Sequence, residues 1–173
     1  MATRFRVHLS LGSNLGDRTA NLARAVSGLA ALPDTKVSAV SRVWETAPWG
    51  VADQPVFHNL AVEIGTALGP LELLNAVKGL ETRLGRGPGF RWGPRLVDVD
   101  VVLWESLILD TPALSLPHPR FRERAFVLWP LAEIAPGAVD PVTGRTVAEL
   151  ADAMRAAAAP ETAQPLAPLA WNA

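Results

Sequence analysis

Between Thr46 and Phe57 the chain reads APWGVADQPV, with two prolines, a glycine and no periodicity. The stretches on either side alternate as strands: TKVSAVSRVWET, with Val37, Ala39 and Val43 set against polar neighbours, and then FHNLAVEIGTA. Two strands joined by a loop with no crossover helix are antiparallel, which argues against a doubly wound parallel sheet. Before them, FRVHLSLGS alternates and NLGDRTANLARAVSGLAAL follows at helical spacing. After them, Gly69-Pro70 opens the helix PLELLNAVKGLETRLG, with Gly85 at its end, and VDVDVVLW forms a fourth strand. The order β-α-β-β-α-β predicts an α+β, ferredoxin-like antiparallel sheet with helices on one face, extended by a further C-terminal strand and helices.

Downstream, SLILDTPALSLPHPRF predicts a short strand and turns. RERAFVLWPLAEIAP predicts a helix that Pro130 interrupts or kinks, and TVAELADAMRAAA a last helix. Residues 1–159 are expected to form one domain, and residues 160–173 a loosely ordered Pro/Ala-rich tail. A length of 173 residues and a hydrophobic fraction of 49% suit a single domain. No apolar run reaches membrane-spanning length, and the opening runs directly into a strand, so a cytoplasmic protein is expected. The chain has no cysteine, which excludes thiolate metal sites and a cysteine nucleophile. A net charge of −1 gives no overall reason to expect nucleic acid or a membrane as partner. The charge is nevertheless uneven: Arg83, Arg86, Arg91 and Arg95 fall in TRLGRGPGFRWGPRLV without an acid, and Arg120, Arg122 and Arg124 surround one glutamate.

The fourth strand carries an anomaly. Asp98 and Asp100 share one face while Val97, Val99 and Val101 share the other, so two carboxylates stand side by side on a strand that continues VVLW. On a solvated face this would be unremarkable. On an interior strand, two ionised groups require compensating charge, which a hard divalent cation such as magnesium supplies together with phosphate oxygens. The nearby arginines either neutralise the acids or bind a polyphosphate. The glycines of GRGPGFRWGPR favour a loop that closes over a triphosphate.

Other candidates are less specific. Gly12, Asn14 and Gly16 in LGSNLGD match neither a Walker motif nor a dinucleotide fingerprint, and read as a tight turn. Phe57 and Phe126 are core candidates, and His58 is an ordinary strand residue. Asn59, flanked by apolar residues, needs a partner for its amide, and a heterocycle edge is one. His118, between prolines, suits a phosphate contact, and no zinc-ligand spacing is present.

Four stretches, LSLGSNLGDR, ETAPWGVADQPVFHN, RWGPRLVDVDVVL and LPHPRFRERAFVLWPLAEIAP, together resemble the 6-hydroxymethyl-7,8-dihydropterin pyrophosphokinase family over about residues 5–140. The resemblance implies transfer of diphosphate from ATP to the pterin hydroxymethyl group, with release of AMP, in folate biosynthesis. It implies two magnesium ions on Asp98 and Asp100, and a nucleotide site of Glu81, Arg86, Arg91, Trp92, Arg95, His118 and Arg124. Arg86 and Arg95 join the two aspartates as catalytic residues. Phe57 and Phe126 sandwich the pterin, Asn59 bonds its edge, and Thr46, Pro48 and Trp49 line the same pocket. Pro88 and Gly89 stand where some members carry a second arginine. A monomer acting on these two small molecules is expected, without nucleic acid or membrane. Against this stand another two-metal phosphoryl or nucleotidyl transferase and a non-catalytic ferredoxin-like ligand-binding module.

Overall fold

The computed structural model describes residues 4–48, 53–85, 96–157 and 163–173. In chain order the elements are β1 (Phe5–Ser13), α1 (Arg18–Ala30), β2 (Thr35–Val40), β3 (Arg42–Thr46), β4 (Phe57–Thr66), α2 (Pro70–Arg83) and β5 (Asp98–Trp104). A short hairpin follows, β6 (Leu109–Asp110) and β7 (Ser115–Leu116), then a 3-10 turn at Phe121–Glu123, α3 (Ala125–Ile134), α4 (Val147–Ala157) and β8 (Ala163–Pro168).

The main sheet has the order β5-β1-β4-β3-β8, with β2 also paired to β4, and every pairing is antiparallel. The expected second strand is thus split. At the break, Ser41 keeps the ladder closed: its N–H donates to Ala61 O (2.9 Å) and its Oγ accepts from Ala61 N (2.9 Å). A bulge between Val37 and Ala39 also shifts the phase, so Val40 rather than Ala39 joins Val37 and Val43 against the core.

One face of the sheet buries Val7, Leu9, Leu11, Leu60, Val62, Ile64, Val99 and Val101 against α1 and α2. The start of α1 is fixed by Asp17, whose carboxylate accepts from Ala20 N, and that of α2 by Glu72, which accepts from Gly69 N at 2.7 Å. The two helices approach closely at Gly28, where an added Cβ would lie 2.4 Å from Leu80 Cδ1. Gly28→Ala is therefore expected to cost about 2 kcal/mol in overpacking, against about 1 kcal/mol of helix propensity gained. A melting temperature about 2–4 °C lower would register the difference. An unchanged or higher value would show that Leu80 has room to turn aside.

The opposite face is covered by α3 and α4 over a second cluster that includes Trp44, Val102, Leu103, Phe121, Leu128 and Trp129. The expected helices on one face are α1 and α2, and the C-terminal helices take the other. Val102 is an extra residue in β5, since Leu9 pairs with Val101 and His8 with Leu103. This bulge lets both Val102 and Leu103 face α3 and α4. Helix α3 runs through Pro130 without interruption. Pro130, the sixth of the helix's ten residues, lacks an N–H and so leaves the Phe126 carbonyl without its helical donor. The tail also departs from expectation: residues 163–168 pair with β3, while Leu169 and Trp171 pack against the first core.

Asp140 ties the 3-10 turn to the loop between α3 and α4. Fully buried, it accepts from Arg122 Nε (2.5 Å) and Nη2 (2.7 Å), from Thr143 Oγ1 (2.6 Å) and from Val142 N (3.0 Å). Burial alone would raise its pKa, but the bonds from Arg122, Thr143 and Val142 hold it down to about 2. A depressed carboxylate stabilises fully above its unfolded value, and the contribution is lost as pH falls through the folded one. The stability difference between wild type and Asp140→Asn is expected to shrink by about 2 kcal/mol between pH 5 and pH 2. Denaturant unfolding across that range measures it, and a constant difference would mean that Asp140 does not set this part of the acid response.

Candidate active site

The acid pair takes the face that the periodicity assigns. Val99 and Val101 are buried in the first core, and Asp98 and Asp100 point to the opposite face, each partly exposed. Their cross-strand neighbours continue in rows, Asp98-Gly12-Asn59-Trp44 and Asp100-Ser10-Ala61. Adjacent strands lie about 4.8 Å apart, so Asp98 and Asn59 stand about 10 Å apart on either side of a residue with no side chain.

Gly12 is a strand residue inside β1 and not part of a turn. The turn reading holds for Gly16, with φ of +63°. At Gly12 the requirement is space: a Cβ would lie 2.6 Å from Asn59 Oδ1 and 3.6 Å from Phe57 Cδ1. The Asn59 amide is fixed on its other side by Thr46, whose Oγ1 accepts from Nδ2. Both Thr46 and Asn59 are buried. Phe57, one step further along the same face of β4, is half-buried, as is Phe126 near the start of α3. Pro48, where the chain leaves β3, is half-buried too.

Over the acid pair lie two groups from the segment after β7. His118 Nδ1 accepts from Arg120 N at 3.1 Å, so in the neutral ring Nε2 carries the hydrogen, and it lies 4.0 Å from Asp100 Oδ2. Arg124, buried at the N-terminus of α3, brings Nη1 to 3.9 Å from the same oxygen and sets its guanidinium 5.5 Å from the Phe126 ring centroid. Burial, and then the charge of Asp98, push Asp100 up to about 6 despite Lys78 and Arg124. Burial and the Arg124 charge push His118 down to about 4. At Asp100, burial and the neighbouring Asp98 charge therefore outweigh the attraction of Lys78 and Arg124. Among the described residues no three His, Cys, Asp or Glu side chains converge as a metal cage. Two carboxylates on one face, open toward solvent, instead match the donor set of a magnesium ion that completes its shell with water and phosphate oxygens.

Glu81 sits beneath β5, almost fully buried, where Oε1 accepts from Val99 N (2.7 Å) and from Lys78 Nζ (3.3 Å). It thus satisfies a backbone donor on the outer edge of the strand, between the two aspartates. Asn14 and Arg18 are positioning residues that the sequence reading did not single out for this role. Asn14 Nδ2 donates to Gln54 Oε1 (2.9 Å) and Pro55 O (3.1 Å), and Arg18 Nη1 donates to Val56 O (2.8 Å), so the β1-α1 corner holds the segment leading into Phe57. The only signal for them was the unusual LGSNLGDR stretch. Trp49, Arg86, Arg91, Trp92 and Arg95 lie outside the described residues.

The sheet order, the helices on its two faces and the polar site at one end define a ferredoxin-like α+β protein. Its backbone superposes on the structure of wild-type Plasmodium falciparum HPPK-DHPS with pteroate with a TM-score of 0.72 at 13% identity, covering 87% of this chain and 44% of that one. The sequence goes further. The family model for 7,8-dihydro-6-hydroxymethylpterin-pyrophosphokinase matches residues 8–136. The 2-amino-4-hydroxy-6-hydroxymethyldihydropteridine pyrophosphokinase of Methylorubrum extorquens is 50% identical over 83% of this chain and 90% of its own length. That of Bacillus subtilis is 47% identical over 73% of this chain and 76% of its own. The chain belongs to the 7,8-dihydro-6-hydroxymethylpterin-pyrophosphokinase family.

Proposed function

We propose that this protein transfers the terminal diphosphate of ATP to the hydroxymethyl oxygen of 6-hydroxymethyl-7,8-dihydropterin, releasing AMP, as a monomeric cytoplasmic enzyme of folate biosynthesis. The observation that carries the reading is the row Asp98-Gly12-Asn59, which puts a pair of aspartates and a fixed amide on one face with a strand position that has no side chain between them. A flat heterocycle fits over Gly12. Its edge meets Asn59, Thr46 and the chain at Pro48, and its faces lie between Phe57 and Phe126, while Trp49 is assigned to the same pocket on the family resemblance. Its hydroxymethyl arm then points toward the aspartates.

In the transfer, the pterin hydroxyl oxygen bonds to the β-phosphorus as the bond from that phosphorus to the α,β-bridging oxygen breaks. AMP leaves with the bridging oxygen, and the hydroxyl proton must be lost. Asp100 is the proposed acceptor of that proton. Asp98 and Asp100 would hold two magnesium ions, which when bound neutralise charge on the phosphate oxygens. Arg124 and His118 bind phosphate oxygens from the side of α3, and Glu81 keeps β5 in place beneath the nucleotide. Arg86, Arg91, Trp92 and Arg95 are assigned to ATP on the family resemblance.

The test is the product formed from ATP and magnesium with and without the pterin alcohol. AMP appearing only with the pterin supports the reading. ADP as product would indicate another phosphoryl transferase, and binding of both molecules without turnover a non-catalytic module.

A further inference from the structure

The polar row at one end of the sheet has a counterpart at the other. About 13 Å along β1 from Gly12, by strand rise, the same face carries His8 beside Glu63 of β4. Here α3 has ended, and a cleft of about 1000 Å³ opens between the strand ends and residues 134–139.

His8 lines this cleft and is 3% exposed. Its Nε2 lies 3.0 Å from Glu63 Oε2, while its Nδ1 is buried with no hydrogen-bond partner. Burial, outweighing the Glu63 contact, holds the His8 pKa below its usual value, so the ring is neutral near pH 7. Burial opposes ionisation of Glu63, yet the bonds from Ser38 and His8 keep its pKa below the ordinary value, so it is a carboxylate. Nε2 therefore donates to Glu63, and Nδ1 presents a lone pair that lacks a donor. A buried acceptor left in that state is unfavourable, and a ligand donor that reached it would relieve the penalty.

The charges around the cleft point to the rest of the occupant. Both of its carboxylates are engaged: Glu63 as above, and Glu105 by accepting from Arg6 N at 2.9 Å. Its cations are less committed. Arg6 is 71% exposed at the side chain and meets Glu63 only at 4.0 Å, and Arg4 and Lys36 have no ion pair among the described residues. Leu103, Ile134, Pro136 and Val139 supply an apolar wall.

We propose that this cleft is a second ligand site for a small oxyanion with an adjoining hydrogen-bond donor, a phosphate or a hydroxycarboxylate. The anionic group sits among Arg4, Arg6 and Lys36, and the donor is directed to the His8 imidazole, whose Nδ1 is closed to solvent in the free protein and must be uncovered by a small turn of the ring as the ligand enters. None of these residues belongs to the proposed pterin or nucleotide site, so the inference stands apart from the reading above.

The chain has three histidines, and ¹H–¹⁵N imidazole spectra can follow each of them. Inorganic phosphate and citrate are titrated separately at pH 7.5, with the His8 signals assigned by their loss in His8→Gln. A saturable shift of His8 with millimolar midpoint is expected with at least one probe. Phosphate alone would indicate a phosphate site, citrate alone a carboxylate site. In Arg4→Glu/Lys36→Glu, both exposed positions, the midpoint should rise at least about tenfold. Any shift of His118, at the opposite end, should be unchanged, as should turnover. His8 signals that stay fixed to about 50 mM of both probes, or that shift equally in the charge-reversed variant, would overturn the proposal.

Discussion

Asp98→Ala/Asp100→Ala is expected to release AMP at least about 10³-fold more slowly than wild type, and without ligands to melt at a higher temperature. Both effects have one cause. Asp98 and Asp100 face the same way on β5, and burial together with mutual repulsion pushes Asp100 up to about 6. A carboxylate whose folded pKa is raised destabilises the fold progressively as pH climbs from the unfolded to the folded value, so near pH 7 the free protein bears the whole penalty of burying the Asp100 charge beside Asp98. Relief of about 1 kcal/mol, reduced for the solvent still reaching Asp100, would raise the melting temperature by about 2–4 °C. On the proposed reading, magnesium and nucleotide should stabilise wild type and leave the double variant unmoved. Loss of activity with a lower melting temperature would instead mean that the aspartates hold the fold together. Asp100→Asn separates charge from proton transfer: near-normal kcat would remove Asp100 as the acceptor of the hydroxyl proton.

Gly12→Ala should lower kcat/KM for the pterin alcohol by about 10²-fold, mostly through KM, while ATP binding is retained. The new methyl would lie 2.6 Å from Asn59 Oδ1, and Asn59 cannot retreat toward Thr46, to which its Nδ2 is already bonded. The amide has to rotate or β4 has to shift, and either change moves the edge that reads the heterocycle. Fluorescent nucleotide titration beside steady-state kinetics makes the distinction. Equal losses for ATP and pterin would show that the substitution disturbs β1 generally, and no loss would show that Asn59 does not set recognition.

The contrast between these two positions shows what a sequence reading can reach. The Asp pair is legible because its evidence is local: alternation puts the acids on one face and the valines on the other, and burial of the valines turns the acids into an anomaly. Gly12 is opaque because its reason lies on another strand. LGSNLGD looks like a turn although the alternation of FRVHLSLGS runs through Gly12, and the register Gly12↔Asn59 shows that the strand prevails as far as Ser13. Glu81 reads as one more helical carboxylate until β5 is known to lie at the sheet edge, where Val99 N would otherwise have no acceptor. The bulges at Ser38 and Val102 escape any period-two pattern, since each marks the point where that pattern breaks. Residues 163–168 misled for a similar reason. Proline and alanine argue against a strand in isolation, and the open edge of β3 overrides them.

That last strand bears on how the molecule behaves in a crowded solution. An uncovered sheet border is a template on which a neighbouring chain can continue the ladder. At β8 the outermost residues include Pro165 and Pro168, which have no N–H to offer a newcomer. At the far border, the Val99 donor is already taken by Glu81. The composition that makes the tail a poor strand in isolation thus makes it a good selvedge, finishing the sheet so that it does not ravel onto its neighbours.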